Sequence, residues 1–329
     1  MITVFTPTFN RRDTLSSLYN SLLSQTDKDF EWVVVDDGST DGTETFFGEI
    51  DATRPPFNIT YVKQENGGKH RAINRGVRLA KGELFFIVDS DDVLKPDAVE
   101  NIKYFSDTLG EGKWSGLAFF REDKNGKPLD NIPEIKKEEG SIEGGYNAAA
   151  KEKKVAFSDK LALCDGLGKK AYYRDVKNTE REGAGLSKDK AEVYFTEVLK
   201  KYPFPEFEGE NFISEEVVWN KIAADGYFLR FIYYPIYVCE YLSEGLTKSG
   251  NLKYVNNPKG TLCWAKGQIK IFGGRKRLAA MERYRYAVRN VKSVKETAAD
   301  LGVPTAALII ALIIVRGGRK IKGLFRKGN

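Results

Sequence analysis

One histidine, three cysteines and two methionines in 329 residues leave little soft-ligand or imidazole chemistry. With His70 the sole histidine, a histidine-rich metal site is excluded, and so is a Ser-His-Asp triad anywhere away from that residue. Cys164, Cys239 and Cys263 are odd in number and far apart, which fits a reducing compartment and no zinc site. Long hydrophobic runs are missing as well. Thr305 to Val315, TAALIIALIIV, is eleven residues without a charge, whereas a spanning helix needs about 20. The stretch Met1 to Phe5 reads as entering a strand at once, with no basic n-region or long apolar h-region, so no secretion signal is expected. A disorder signature is lacking too: 41% of the residues are hydrophobic, enough for a large core or two packed halves.

What is present begins with alternation. Residues 2–6 read as a strand, and Leu15, Leu18, Leu22 and Leu23 recur at helical spacing behind Asp13, a candidate N-cap. Phe30 to Val35 is a second strand, followed by Asp36, Asp37 and the tight loop Gly38-Ser39-Thr40-Asp41-Gly42 that opens a second helix. Residues 57–63 give a third strand, and the loop Asn66-Gly67-Gly68-Lys69 leads a helix to about Ala80. The fourth strand, FFIVDSDD over residues 85–92, is apolar until it meets Asp89, Ser90, Asp91 and Asp92. Four such alternations predict an α/β protein with a mostly parallel, doubly wound sheet. Ligands bind such sheets beyond the carboxyl ends of the strands. Crowded carboxylates there suit Mg²⁺ or Mn²⁺, which take one or two carboxylates together with substrate phosphates. Taken alone, the acidic triplet is equally an ordinary turn capping the next helix.

Farther along, residues 97–109 read as a helix and Trp114 to Arg121 as a strand, while Glu122 to Asp159 is loop-rich without assignable elements. Asp189 to Tyr202 reads as a helix stopped by Pro203-Phe204-Pro205, Glu215 to Ala224 as another, and Phe228 to Tyr241 as two aromatic strands broken at Pro235. Ser214-Glu215-Glu216 is, on pattern alone, a good helix start. Past Lys270 the chain turns basic, and Arg316, Arg319, Lys320, Lys322, Arg326 and Lys327 follow the uncharged run with no acid among them. This fits a helical segment lying on an anionic membrane surface, with a buried C-terminal helix or a dimer contact as the bland alternatives. No nucleic-acid module accompanies the basic tail, so nucleic acid is not an expected partner.

Four segments carry a specific resemblance. TPTFNR at residues 6–11, VVVDDGSTDGT at 33–43, ENGGKHRAIN at 65–74 and FFIVDSDD, in that order and spacing, resemble the nucleotide-sugar half of family two inverting glycosyltransferases. The likeness is specific over about residues 1–105 and continues loosely through GENFISEEVVWNKI to about residue 245. It implies the A-type glycosyltransferase fold: a nucleotide-sugar-binding half (1–105), a fused acceptor-binding half (106–245) and a basic C-terminal helical tail (246–329). The implied reaction moves a sugar from a nucleotide donor, commonly a UDP-sugar, to a hydroxyl of a saccharide or lipid-linked saccharide. Cell-surface polysaccharide synthesis at the inner face of the plasma membrane is the setting this suggests.

The resemblance also assigns roles. Asp37, with Asp36 beside it, would hold the base, and Thr6, Pro7 and Thr8 would line it. Asp89 would reach the ribose or the metal, Ser90 would belong to the same nucleotide-binding set, and Asp91 would bind the metal. Gly68 and Lys69 would approach the phosphates at a helix start, where backbone N–H groups favour an anion. Many relatives carry an Arg-Asn pair before the glycine of this helix. Here the arginine position is Ile73, which shifts phosphate contact to Lys69, His70 or Arg71. The acidic pair Glu215-Glu216 matches the family's Glu-Asp, whose second member is the base, so Glu216 is the first candidate and Glu215 the second. Trp219, three residues on, shares that helical face and suits either sugar stacking or core packing. A sugar-phosphate nucleotidyltransferase would want a glycine-rich, basic first loop, which TPTFNR is not. A non-catalytic membrane-bound assembly subunit is the remaining alternative, motivated by the departures at Ile73 and Glu216.

Overall fold

The computed structural model describes residues 1–130, 160–164, 169–239 and 250–325. Two compact units emerge, one of residues 1–66, 72–203 and 225–242, the other of residues 67–71, 204–224 and 243–329.

Among the described residues, the first unit is built on a ten-stranded sheet. Its opening elements are β1 (Ile2–Thr8), α1 (Arg12–Leu23), β2 (Phe30–Asp36), α2 (Thr43–Asp51), β3 (Asn58–Lys63), α3 (Lys69–Leu79) and β4 (Leu84–Ile87). After the acidic turn come β5 (Asp92–Leu94), α4 (Ala98–Asp107), β6 (Trp114–Glu122), β7 (Lys160–Cys164), β8 (Lys169–Val176), β9 (Ala191–Phe195), α5 (Thr196–Lys201) and, after the intervening helix α6 (Glu216–Ala224), β10 (Phe228–Cys239). The order across the sheet is β3-β2-β1-β4-β9-β6-β10-β8-β7, with β5 beside β10. β1 to β4 run parallel to one another. Among the described strands, only β5, β8 and β9 run against the common direction. β1, β2 and β4 are buried on both faces, which is why their sequences read as continuous apolar runs rather than alternations. Trp32, Phe86, Phe105 and Phe119 anchor the core between sheet and helices.

Three sequence expectations are corrected here. Residues 189–202 are not one helix: Ala191–Phe195 is a strand and only Thr196–Lys201 is helical. The slot between β4 and β6 takes an extended segment that buries Val193 and Tyr194 on opposite faces, and this tertiary demand overrides local propensity. Gly116 makes the fit possible, because a Cβ there would stand 1.9 Å from the Val193 carbonyl oxygen. Residues 228–239 form one strand, which absorbs Pro235 through register shifts on either side of it. Asp13 lies inside α1, whose N-cap is Arg11. Most of the loop-rich stretch 122–159, together with Glu240, Tyr241, Arg326 and Lys327, lies outside the described residues.

The second unit is helical. α6 packs with α7 (Leu252–Val255), α8 (Pro258–Ile271), α9 (Gly274–Ala287), α10 (Val294–Leu301) and α11 (Thr305–Phe325) around Trp264, Met281, Tyr284, Leu301 and Leu308. Ser293 and Glu296 form a reciprocal capping box on α10, and Gly302 ends it in the left-handed region. α11 turns Leu308 and Ala311 into this core while Ile309, Ile310, Ile313 and Ile314 stay exposed. Among the described residues no single helix is long and apolar enough to cross a membrane; only α10 with residues 305–315, bent by 104° at their junction, reaches that composition together.

Candidate functional site

The strand order of the first unit reverses at β1. β2 lies on one side of it and β4 on the other, which makes the carboxyl edge beside β1 the switch point, the crevice position at which open α/β sheets bind ligands. The polar ends of β1, β2 and β4 gather there, as the alternation predicted.

Loop chemistry fixes the β1–β2 side. Asn10 adopts φ 51° and its Oδ1 accepts the Thr40 N–H at 2.9 Å, while its own N–H reaches Ser39 Oγ at 2.9 Å. Asp36 is fully buried and spent on structure: its carboxylate accepts the Ser39 N–H at 2.7 Å and the Tyr61 hydroxyl at 2.6 Å. Burial and that carboxylate push the Tyr61 phenol well above its usual range. Asp37 is also buried; its Oδ1 accepts from Gln64 Nε2 at 2.8 Å and its backbone carbonyl from Asn66 Nδ2 at 2.9 Å. Gly38 is needed at φ 93°, where a side chain would press on the Asn66 backbone N. Thr6 is buried with Oγ1 accepting from the Trp32 indole at 3.0 Å, Pro7 is half-buried, and Thr8 offers its carbonyl to the Asp37 N–H at 2.8 Å.

The β4 side is an acidic turn. The Asp92 N–H closes it on the Asp89 carbonyl at 3.2 Å, with Ser90 buried between. Tyr237 on β10 pins it: the phenol oxygen accepts the Asp89 N–H at 3.0 Å, and the hydroxyl also bonds the Asp92 carboxyl. Asp92 is 7% exposed, and burial first, then the charge of Asp89, raise its carboxyl from 3.8 to about 7. Burial and Asp92 likewise push up the Cys239 thiol. The turn is therefore divided: Asp92 faces Tyr237 and Cys239, and Asp91 lies 3.6 Å from Arg11 on the β1 loop, both partly exposed. Among the described residues no three His, Cys, Asp or Glu side chains converge to hold a metal alone. Asp89 and Asp91 remain as two hard oxygen donors, a set that suits Mg²⁺ or Mn²⁺ completed by phosphate oxygens.

The second unit holds the other candidates. Lys69 Nζ meets Glu215 Oε1 at 3.0 Å, and Arg71 binds Glu206 at 2.9 Å and the Phe207 carbonyl at 2.7 Å. The loop approaches residue 211 closely: a Cβ on Gly68 would stand 1.8 Å from the Asn211 carbonyl oxygen, at φ +93°. His70 is buried. Glu216 is the first residue of α6, and its Oε2 accepts from Trp264 Nε1 at 2.7 Å and Gln268 Nε2 at 3.0 Å. Trp219 is buried edge-on to Phe204, a core role. Sequence reasoning missed Tyr237, Trp264 and Gln268. The first lay in a strand read for its aromatic bulk, and the other two stand four apart on α8, a spacing that marks one face but names no partner.

Comparison with known proteins now bears on the crevice. Residues 3–141 match the profile of Glycosyl transferase family 2. They form a family 2 glycosyltransferase domain. TuaG of Bacillus subtilis, whose name places it in teichuronic acid biosynthesis, is 30% identical over 133 residues, covering 40% of this chain and 52% of that protein. Chondroitin synthase of Escherichia coli is 37% identical over 100 residues, 30% of this chain and 14% of the enzyme. The match thus spans about half the length of TuaG and a smaller share of the synthase. The crystal structure of S. aureus TarS 1-349 in complex with UDP-GlcNAc superposes with a TM-score of 0.58 at 20% identity, covering 93% of this chain and 83% of that one. A second crystal structure of S. aureus TarS 1-349 gives 0.59 at 18% identity, covering 100% of this chain and 92% of that one. These likenesses show the A-type glycosyltransferase fold.

Proposed function

We propose that this family 2 glycosyltransferase is an inverting enzyme that moves a hexosyl or N-acetylhexosaminyl group from UDP to a hydroxyl of a saccharide or lipid-linked saccharide in cell-surface polysaccharide synthesis. The observation that carries the reading is the acidic turn Asp89–Asp92, pinned by Tyr237 at the point where the sheet order reverses. Asp37, with Thr6 to Thr8, receives the uracil, while Asp36 holds the turn that presents it. Asp89 and Ser90 meet the ribose. Asp91 and Asp89 hold Mn²⁺ or Mg²⁺, which when bound neutralises charge on the departing diphosphate. Gly68 and Lys69 serve the phosphate side at the start of α3. Glu216 takes the acceptor proton; Glu215, paired with Lys69, holds that cation. The names of TuaG and chondroitin synthase support the polysaccharide setting, and the sugar nucleotide bound by TarS supports a UDP donor. The test is UDP release from UDP-glucose, UDP-galactose, UDP-GlcNAc and UDP-GalNAc with Mn²⁺. Glu216→Gln should keep UDP binding and lose turnover by ~10²-fold or more, the scale of general base catalysis. Undiminished turnover in that variant would remove Glu216 from the role.

The second unit supplies the setting for a lipid-linked acceptor. From Lys266 to the C-terminus sixteen Lys and Arg stand against three acids, and the exposed isoleucines of α11 precede its basic end. Apolar insertion and cation attraction together suit the anionic inner face of the plasma membrane.

A further inference from the structure

Glu216 is an exposed residue at a helix start, yet two donors are aimed at a single one of its oxygens. A glutamate that merely complements a helix dipole needs no side-chain partner. Both donors come from α8, and both are more than nine-tenths buried: Trp264 is 8% exposed and Gln268 7%. The indole is itself immobilised, tilted against Tyr254 with the Arg283 guanidinium 4.9 Å from its ring. The start of α8 is tied to the segment that leads into α6. Glu210 accepts the Lys259 and Gly260 N–H groups at 2.7 and 2.8 Å, and the Asn257 side chain accepts those of Asn211 and Phe212 at 2.8 and 3.0 Å. A single helix thus sets the path of residues 210–212 with its first turn and the rotamer of Glu216 with its later turns.

We infer that Trp264 and Gln268 are positioning residues for the catalytic base, fixing the Glu216 carboxylate through Oε2 so that Oε1 is left to take the acceptor proton. The inference rests on Glu216 being the base. Both described bonds fall on Oε2, and Oε1 takes neither. Holding a carboxylate in one rotamer before the acceptor arrives removes an ordering cost from the reaction step, where a displacement of about 1 Å can cost about 10²-fold in rate. The role reaches beyond the family 2 domain, since α8 lies outside residues 3–141.

The test uses the full chain with Mn²⁺ and the four UDP-sugars above. Trp264→Phe keeps a ring and removes the N–H; Gln268→Met keeps length and removes the amide. Each should lower kcat by about 10-fold or more, with donor KM and UDP affinity within about twofold of wild type. In a Glu216→Gln background neither should lower kcat further. If Glu216→Gln abolishes turnover while both α8 variants keep wild-type kcat, the positioning role fails and the base survives. Equal further losses in the Glu216→Gln background also overturn it. If Glu216→Gln turns over normally, the base reading fails and this inference falls with it. A second measurement does not need turnover. The ¹⁵N indole resonance of Trp264, assigned by its loss in Trp264→Phe, should move in Glu216→Gln, and an unmoved resonance overturns the inference whatever the kinetics.

Discussion

Replacing Asp92 by Asn should make the protein more stable, and only above a defined pH. The carboxyl is buried against Tyr237 and Cys239 with Asp89 and Asp91 near it, and its folded value stands at about 7 against 3.8. Between those values the folded chain holds a proton that the unfolded chain has lost. The stabilisation that proton gives is complete below about pH 4 and disappears as pH rises through about 7. Asn carries no charge at any pH. Wild type and Asp92→Asn should therefore coincide near pH 4 and separate progressively, with the variant ahead above pH 7. A displacement of about three units sets a ceiling of about 4 kcal/mol. At ~2–4 °C per kcal/mol for a sheet unit of this size, even half of that ceiling moves the melting temperature by about 4–8 °C. The assay is thermal melting from pH 4 to 8 in EDTA, which keeps divalent ions from stabilising the ionised turn. Parallel curves for the two proteins across that range would refute the reasoning, and so would a variant less stable at pH 8.

Asp91→Asn should keep the fold and lose Mn²⁺-dependent UDP affinity; calorimetry showing equal affinity would remove Asp91 as ligand. Gly68→Ala sets a Cβ against the Asn211 carbonyl at a left-handed φ, so denaturation should report destabilisation beyond the ~1 kcal/mol of the backbone term alone, whereas Gly48→Ala, with open space around it, should not. Ile310→Glu with Ile313→Glu should abolish pelleting with anionic liposomes while leaving the melting temperature within a few degrees, because both side chains are exposed; retained pelleting would count against α11 as the docking face. Deleting residues 305–329 is a poorer test of the same point, since it strips Leu308 and Ala311 from the helical core.

The alternation of residues 1–105 was legible because each element is long enough to show its period and each loop ends in turn chemistry. The crevice followed, since strand ends in a parallel sheet must share an edge. The division of labour within the acidic residues was not legible. Asp36 and Asp37 are neighbours with the same chemistry, and only the partners Ser39 and Tyr61 show that Asp36 is spent on the fold. Tyr237 lies 148 residues from the Asp89 it holds, and Trp264 lies 48 from Glu216. No local pattern announces a contact at that distance. The strand at Ala191–Phe195 is hidden in the sequence for the same reason, because its extended form is dictated by neighbours far along the chain.

That strand has a consequence for how the protein is made. Residues 1–87 leave the ribosome with an apolar β4 whose outer edge has no mate, and its mate is β9. Roughly 100 residues must still be synthesised before Phe195 exists, about 5–20 s at ordinary elongation rates. Throughout that interval the nascent chain carries an open hydrophobic edge of the kind that recruits other strands. A fragment ending near residue 105 should therefore aggregate or bind chaperones rather than stand free, and slow codons placed before residue 191 should lower the yield of folded protein more than the same codons placed after residue 200.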